Sequence, residues 1–183
     1  MDKKLIEVNK KLSQNIGIKN VMAMPKILKT VVNVGIGATK TNPKFLEIVT
    51  DGLKVITGQK PAIRTARKAV SGFKIRQNDQ VGLTVTLRGR KMIDFITKLA
   101  DIVLPRVRDF RGLDQKSFDK NGNFTLGISE QIVFPEISYD KSEVLFGMSL
   151  TIVTNVRDSN LGQKLFKAWG FPFKKAPVRS KVG

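Results

Sequence analysis

Val81-Gly82-Leu83-Thr84-Val85-Thr86-Leu87-Arg88 alternates without a break: Val81, Leu83, Val85 and Leu87 on one side, Gly82, Thr84, Thr86 and Arg88 on the other. A period of two with one apolar face is the pattern of a strand buried on one side only. The same alternation recurs at Thr30, Val32, Val34 and Ile36 against Val31, Asn33 and Gly35. It returns at Phe124, Leu126 and Ile128, and at Met148, Leu150 and Ile152 against Ser149, Thr151 and Val153. Strands of a doubly wound parallel sheet are covered on both faces and read as continuous apolar runs. These do not, so the sequence predicts an α+β fold: a mostly antiparallel sheet with helices on one face and the other face open.

The helices lie between the strands. Leu5, Val8, Leu12 and Ile16 keep helical spacing up to Gly17. Phe45, Ile48, Val49, Leu53 and Ile56 form a second stripe, begun after Asn42-Pro43 and stopped at Gly58. A third carries Met92, Ile93, Phe95, Ile96, Leu99, Ile102 and Val103 and is expected to end at Pro105; a last carries Leu161, Leu165 and Trp169. A short extended segment is expected around residues 59–66. The 183 residues suit one domain over 1–175, with a protruding loop near 69–79, a long loop near 106–123, and a basic, flexible tail at 176–183.

Charge narrows the function. A net charge of +18 is far outside the range of an ordinary enzyme of this size and calls for an anionic partner. Between Asp51 and Asp79 no acid interrupts Lys54, Lys60, Arg64, Arg67, Lys68, Lys74 and Arg76. The end of that window, Ala69-Val70-Ser71-Gly72-Phe73-Lys74-Ile75-Arg76-Gln77-Asn78, reads as an exposed basic loop with Phe73 at its tip. Its charges suit phosphates and its ring suits a base or sugar. The open sheet face would carry Asn33, Thr84, Thr86, Arg88, Ser149 and Thr151, short hydrogen-bonding groups beside arginine, as an RNA-receiving surface does.

Other chemistries fit poorly. There is no cysteine and no histidine, which removes disulfides, thiolate metal sites, the usual general base and the usual zinc ligand. Val34-Gly35-Ile36-Gly37-Ala38-Thr39-Lys40-Thr41 follows a strand but lacks the third glycine of the dinucleotide fingerprint, having Lys40 there. It also lacks both P-loop glycines, having Val34 and Thr39. Its glycines are expected to let the chain turn. Glu130, Glu136, Asp140 and Glu143 have no metal-ligand spacing and read as an acidic patch for a basic neighbour rather than a nuclease centre. Trp169-Gly170-Phe171-Pro172-Phe173 is expected to plug the core. No apolar run is long enough for a signal peptide or a membrane span, so a soluble compartment is expected.

Six blocks occur in one order: Gly58-Gln59-Lys60-Pro61, Ala66-Arg67-Lys68, Ser71-Gly72-Phe73-Lys74-Ile75-Arg76-Gln77, Val85-Thr86-Leu87-Arg88-Gly89, Pro105-Arg106-Val107-Arg108-Asp109-Phe110-Arg111-Gly112-Leu113 and Glu130-Gln131-Ile132-Val133-Phe134-Pro135-Glu136-Ile137. Together they resemble the bacterial-type large-subunit ribosomal protein family that binds 5S ribosomal RNA, from about residue 4 to Lys175. The resemblance implies a structural protein of the central protuberance, with no catalytic residues, cofactor or metal. It implies that the sheet side grips 5S rRNA, with Asn33, Gln59 and Thr86 at family positions that hydrogen-bond to it. Lys60, Arg64 and Arg88 are the neighbouring cations expected to meet the same RNA. The loop Ser71, Gly72, Phe73, Lys74, Ile75, Arg76, Gln77 and Asn78 would reach the P-site tRNA. Further expected partners are large-subunit rRNA and neighbouring ribosomal proteins, including a small-subunit protein across an intersubunit bridge. Two departures stand out: Ser149 where relatives often carry Asp, and Ser159-Asn160 where they often carry an acidic pair. A free-standing RNA regulator would instead expose aromatic stacking platforms on its sheet, and the open-face residues are not aromatic.

Overall fold

In a computed structural model of the chain, residues 3–16, 20–37, 44–137 and 144–174 are described. Five strands form one antiparallel sheet in the order β2-β3-β1-β5-β4. They are β1 (Ile27–Gly35), β2 (Ala62–Thr65), β3 (Gln80–Leu87), β4 (Phe124–Ile128) and β5 (Met148–Thr154). The helices are α1 (Lys3–Ile16), α2 (Lys44–Thr57), α3 (Gly89–Lys98), the short α4 (Leu104–Arg106) and α5 (Ser159–Ala168). This is the α+β architecture that the strand alternation predicts.

One face of the sheet supplies Val32, Val34, Leu83, Val85, Leu87, Leu150 and Ile152, all buried, to a single core with Val49, Leu53 and Ile56 of α2 and Phe95 and Ile96 of α3. Each such side chain contributes about 1.5–3 kcal/mol on leaving water. Gly58 takes φ +64 just after α2, the left-handed conformation that glycine adopts without strain. α1 buries Val8 and Leu12, and its Lys4 pairs with Asp101. Gly17, where α1 is expected to stop, lies outside the described residues, as does the tail 176–183.

The C-terminal segment closes the core. Trp169 and Phe171 are buried, and Phe118, Phe124, Phe166, Phe171 and Phe173 form a ring cluster with centroids 4.8–6.3 Å apart. Trp169–Phe173 is thus a core plug. The stretch 106–123 stays irregular but is tied down locally. Asp119 accepts hydrogen bonds from the backbone N–H of Asn121 and Asn123 and from Asn123 Nδ2, at 2.7–2.9 Å.

Two sequence expectations need correction. The third helix does not end at Pro105: it widens into a π-helical turn at Leu99–Val103 and continues through α4 to Arg106. An i→i+5 turn inserts a residue, which rotates the apolar stripe and leaves Ile102 45 % exposed. A helix interrupted in this way also accommodates a proline, whose missing N–H would break a regular one. The second correction concerns Gly35, expected with Gly37 to let the chain turn; Gly37 does stand in a tight helical turn just beyond β1. Gly35 pairs instead with Gly82 inside the sheet.

Candidate nucleic-acid interface

The open face follows from the register. Residues opposite one another across a ladder point to the same side. Ala62, Thr84, Asn33, Ser149 and Gly127 therefore form one row across all five strands. A second row holds Thr86, Val31, Thr151 and Thr125, and a third holds Arg64, Gly82 and Gly35. No side chain in these rows is aromatic, and only Arg64 is longer than asparagine or valine. The result is a broad surface of small and mostly polar groups. Lys29 at one end of β1 and Arg88 just beyond β3 add cations at the end opposite Arg64.

Within this face the expected RNA-contacting residues are brought together. Asn33 is exposed, and its Oδ1 accepts a hydrogen bond from the Thr84 hydroxyl at 2.6 Å. Gln59, half-buried beyond α2, points Nε2 at the Thr86 carbonyl oxygen at 3.4 Å. Thr86 lies one register step from Asn33, opposite Val31. Lys60, Arg64 and Arg88 are exposed around this group. Thr84 is the exception among the expected open-face residues. It is 7 % exposed, and its hydroxyl also reaches the Val32 carbonyl at 3.3 Å. Its side chain orients Asn33 rather than meeting solvent.

The basic window 51–79 is not one surface. Lys54 sits on α2, in the helical layer, whereas Lys60 and Arg64 follow the β2 edge. Arg67, Lys68, Lys74 and Arg76 belong to an extension between β2 and β3. Its base is closed by Ala66 N–H donating to the Asp79 carbonyl at 2.8 Å and Asn78 N–H donating to the Ala66 carbonyl at 2.9 Å. Val70 and Ile75 pair above the base, and Ser71–Phe73 make one tight turn. Lys74 at the tip and Asn78 at the base take φ +53 and +69, so the extension has a defined shape rather than an open coil. Phe73 is 76 % exposed at that tip.

Sequence reading missed Lys29, Ala62, Thr125 and Gly127 as members of the face. Lys29 was within reach, since it is two residues before Val31 on the same alternation. The rest depend on which strands are neighbours. Glu136, from the expected acidic patch, pairs with Lys98 at 2.6 Å, while Asp140 and Glu143 lie outside the described residues. Among the described residues no three His, Cys, Asp or Glu side chains gather as a metal site, and no helix is long and apolar enough to cross a membrane.

A mostly polar sheet face beside a basic finger suits a protein that binds an anionic partner, and comparison with known proteins gives its class. Residues 20–76 match the ribosomal protein L5 family and residues 80–173 match the ribosomal L5P family C-terminus. The large ribosomal subunit protein uL5 of Heliobacterium modesticaldum is 49 % identical over 168 residues, covering 92 % of this chain and 93 % of the relative. Its namesake from Prochlorococcus marinus is 47 % identical over 167 residues, covering 91 % and 93 %. The chain belongs to the ribosomal protein L5 family, in its bacterial type. Members of that family are structural proteins of the ribosome, not enzymes, and their partners are ribosomal RNA and ribosomal proteins.

Proposed function

We propose that this structural constituent of the large ribosomal subunit holds 5S rRNA on the open sheet face and offers the 66–79 finger to P-site tRNA. The observation that carries the first part is the uninterrupted row Ala62-Thr84-Asn33-Ser149-Gly127, with cations at both ends of the face. A phosphodiester backbone can lie flat on such a row, because no large side chain stands in its way. Asn33, Gln59 and Thr86 then read ribose, base edges or phosphate, while Lys60, Arg64 and Arg88 supply charge. Thr84, by fixing the Asn33 carbonyl oxygen, leaves the Asn33 amide NH₂ as the group directed to RNA. Ser149 keeps the centre of the face neutral, so no carboxylate opposes the phosphates there.

The finger suits a different RNA because it projects from the sheet on its own hydrogen bonds and ends in an exposed ring. A small-subunit protein met across the intersubunit bridge completes the set of partners.

The test is a filter-binding comparison of pure protein with 5S rRNA and with an unrelated RNA of equal length. The proposal expects tight binding to 5S rRNA that is lost when the open face, and not the finger, is altered. Equal affinity for both RNAs would defeat it.

A further inference from the structure

The two edges of the sheet are finished differently. β2 carries Arg64 and follows Lys60-Pro61, and charge and proline are what keep an exposed edge from pairing with other chains. β4 reads Phe124-Thr125-Leu126-Gly127-Ile128, with neither. The direction of its peptide groups can be worked out. Thr154 N–H turns toward the β4 side, donating to Asn123 Oδ1 at 3.0 Å, while Asn155 N–H turns the other way, to the Lys26 carbonyl at 3.1 Å. The alternation of an antiparallel ladder then sets Leu126 against Leu150 and turns the N–H and C=O of Gly127 outward. Among the described residues the one bridge on this side is Phe118 to Phe124, and a Cβ at Gly127 would meet nothing within 4 Å.

Beside this edge runs a cavity of about 780 Å³, between β4 and the 104–114 stretch. Leu113 and Ile128 are buried in its floor, with Val107, Leu126 and Val133 half-buried around them. The wall opposite β4 is fixed by backbone contacts. Gly112 takes φ +97, where a Cβ would lie 2.8 Å from the Lys174 nitrogen. Leu113 N–H donates to the Pro172 carbonyl at 2.8 Å, and Lys174 N–H to the Leu113 carbonyl at 3.0 Å. The rim mixes signs, with Arg108, Arg111 and two further cations against Asp109, Asp114 and Glu130.

We infer that this groove receives an extended segment of a neighbouring protein, which adds to the sheet at Gly127 and seats apolar side chains from alternate positions on the floor. Strand addition draws affinity from main-chain hydrogen bonds and specificity from pockets for alternate side chains, and both elements are in place. The mixed rim suits a peptide carrying both signs of charge. An RNA strand fits less well: three carboxylates offset the four cations of the rim, and the apolar floor offers phosphates nothing. The groove adjoins the open face at Gly127, which ends the central row, but its floor lies on the core side of the sheet, so the 5S rRNA affinity of each variant below, measured by filter binding, keeps the two readings apart.

Full-length protein with azidophenylalanine in place of Phe110, a half-buried groove residue, can be assembled into large subunits and irradiated, and the products identified by mass spectrometry. The expected product is a ribosomal-protein peptide with apolar residues at alternate positions. Gly127→Pro removes one outward N–H on an edge strand and should lower the yield about fivefold, the weight of one backbone hydrogen bond. Gly127→Ala, which keeps the N–H, should stay within about twofold of the parent, well short of the loss of one bond. Yields are referred to subunit incorporation measured by sedimentation. Should Gly127→Pro fail to incorporate, Leu126→Lys, which sets a charge on the floor, must show a comparable loss. Cross-linking to rRNA, to residues 175–183 of the same chain, or to nothing would overturn the inference. So would a yield indifferent to Gly127→Pro or, in its stead, Leu126→Lys.

Discussion

The open face and the finger meet the outside by opposite constructions. The face is made by distant parts of the chain: Asn33 has Thr84 on one side and Ser149 on the other, and Ser149 in turn faces Gly127. Its side chains are short, mostly neutral and held in register by the ladder. The finger is made by near neighbours, with its base pair, its bridge and its turn all inside residues 66–79. Its side chains are long, charged or aromatic, and exposed. A surface that must match a fixed shape is set by the sheet, and one that must reach is set by local turns.

The largest expected effect probes what the two regions share, their charge. Raising salt from about 50 to about 200 mM should weaken 5S rRNA binding by about a hundred- to ten-thousandfold, the loss expected when ~5–8 phosphates are neutralised. A slope of log K against log salt near zero, in filter binding, would remove electrostatics from both regions.

A smaller effect should separate the face from its charged surroundings. Asn33→Ala and Thr86→Ala should each weaken 5S binding about tenfold, since an RNA group left buried without its partner costs ~1–3 kcal/mol. Neither removes a charge, so the salt slope should hold. Melting should shift little for Thr86→Ala. Asn33→Ala leaves the Thr84 hydroxyl its second acceptor, the Val32 carbonyl, so its stability cost should also be minor. If both variants bind normally, the face is not the RNA site.

The opposite side of the same strand offers the complementary control. Thr30 is fully buried in the core, and its hydroxyl has no hydrogen-bond partner among the described residues. Thr30→Val should stabilise the fold by about 1 kcal/mol, because a buried hydroxyl without a partner costs about that much or more. Urea unfolding would measure the gain, and 5S affinity should not move. Substitutions three residues apart on β1 would then affect stability alone or affinity alone.

The smallest effect is expected at the finger. Replacing Phe73, Lys74 and Arg76 together with alanine should shift melting little and leave 5S affinity within about twofold, since Arg76 holds the Asp79 carboxylate through its backbone N–H, which alanine keeps, and the face's RNA contacts lie elsewhere. The same variant should retain P-site tRNA less well in assembled ribosomes. Lost 5S affinity with normal tRNA retention would exchange the two roles.

Much of this organisation is visible in the sequence wherever one local rule decides. The alternation at 81–87 and 148–153 marks half-buried strands because a slip of one residue would turn every apolar side chain outward. The finger is visible because Phe73 stands amid basic residues with no periodicity to bury it. Thr84 could not be read correctly, because its burial depends on Asn33, paired with it across the sheet. The helix beyond Lys98 failed at Pro105 because a π-turn leaves no mark in a 3.6-residue pattern. The groove beside β4 was invisible for a third reason: its walls come from residues near 110, 127 and 174, and no sequence window holds all three.

The central place of β1 also bears on synthesis. It is the first strand made, and its partners β3 and β5 emerge in turn, so Asn33 waits for Ser149 before the central row exists. At about 5–20 residues per second that wait is on the order of ten seconds. During that time β1 presents one unpaired edge, and the polar platform is only half built. A chain released before residue 154 would lack β5 and leave β1 and β4 unjoined. On the proposed reading, the surface for RNA is therefore completed only when β5 has joined β1 to β4, late in the synthesis of these strands.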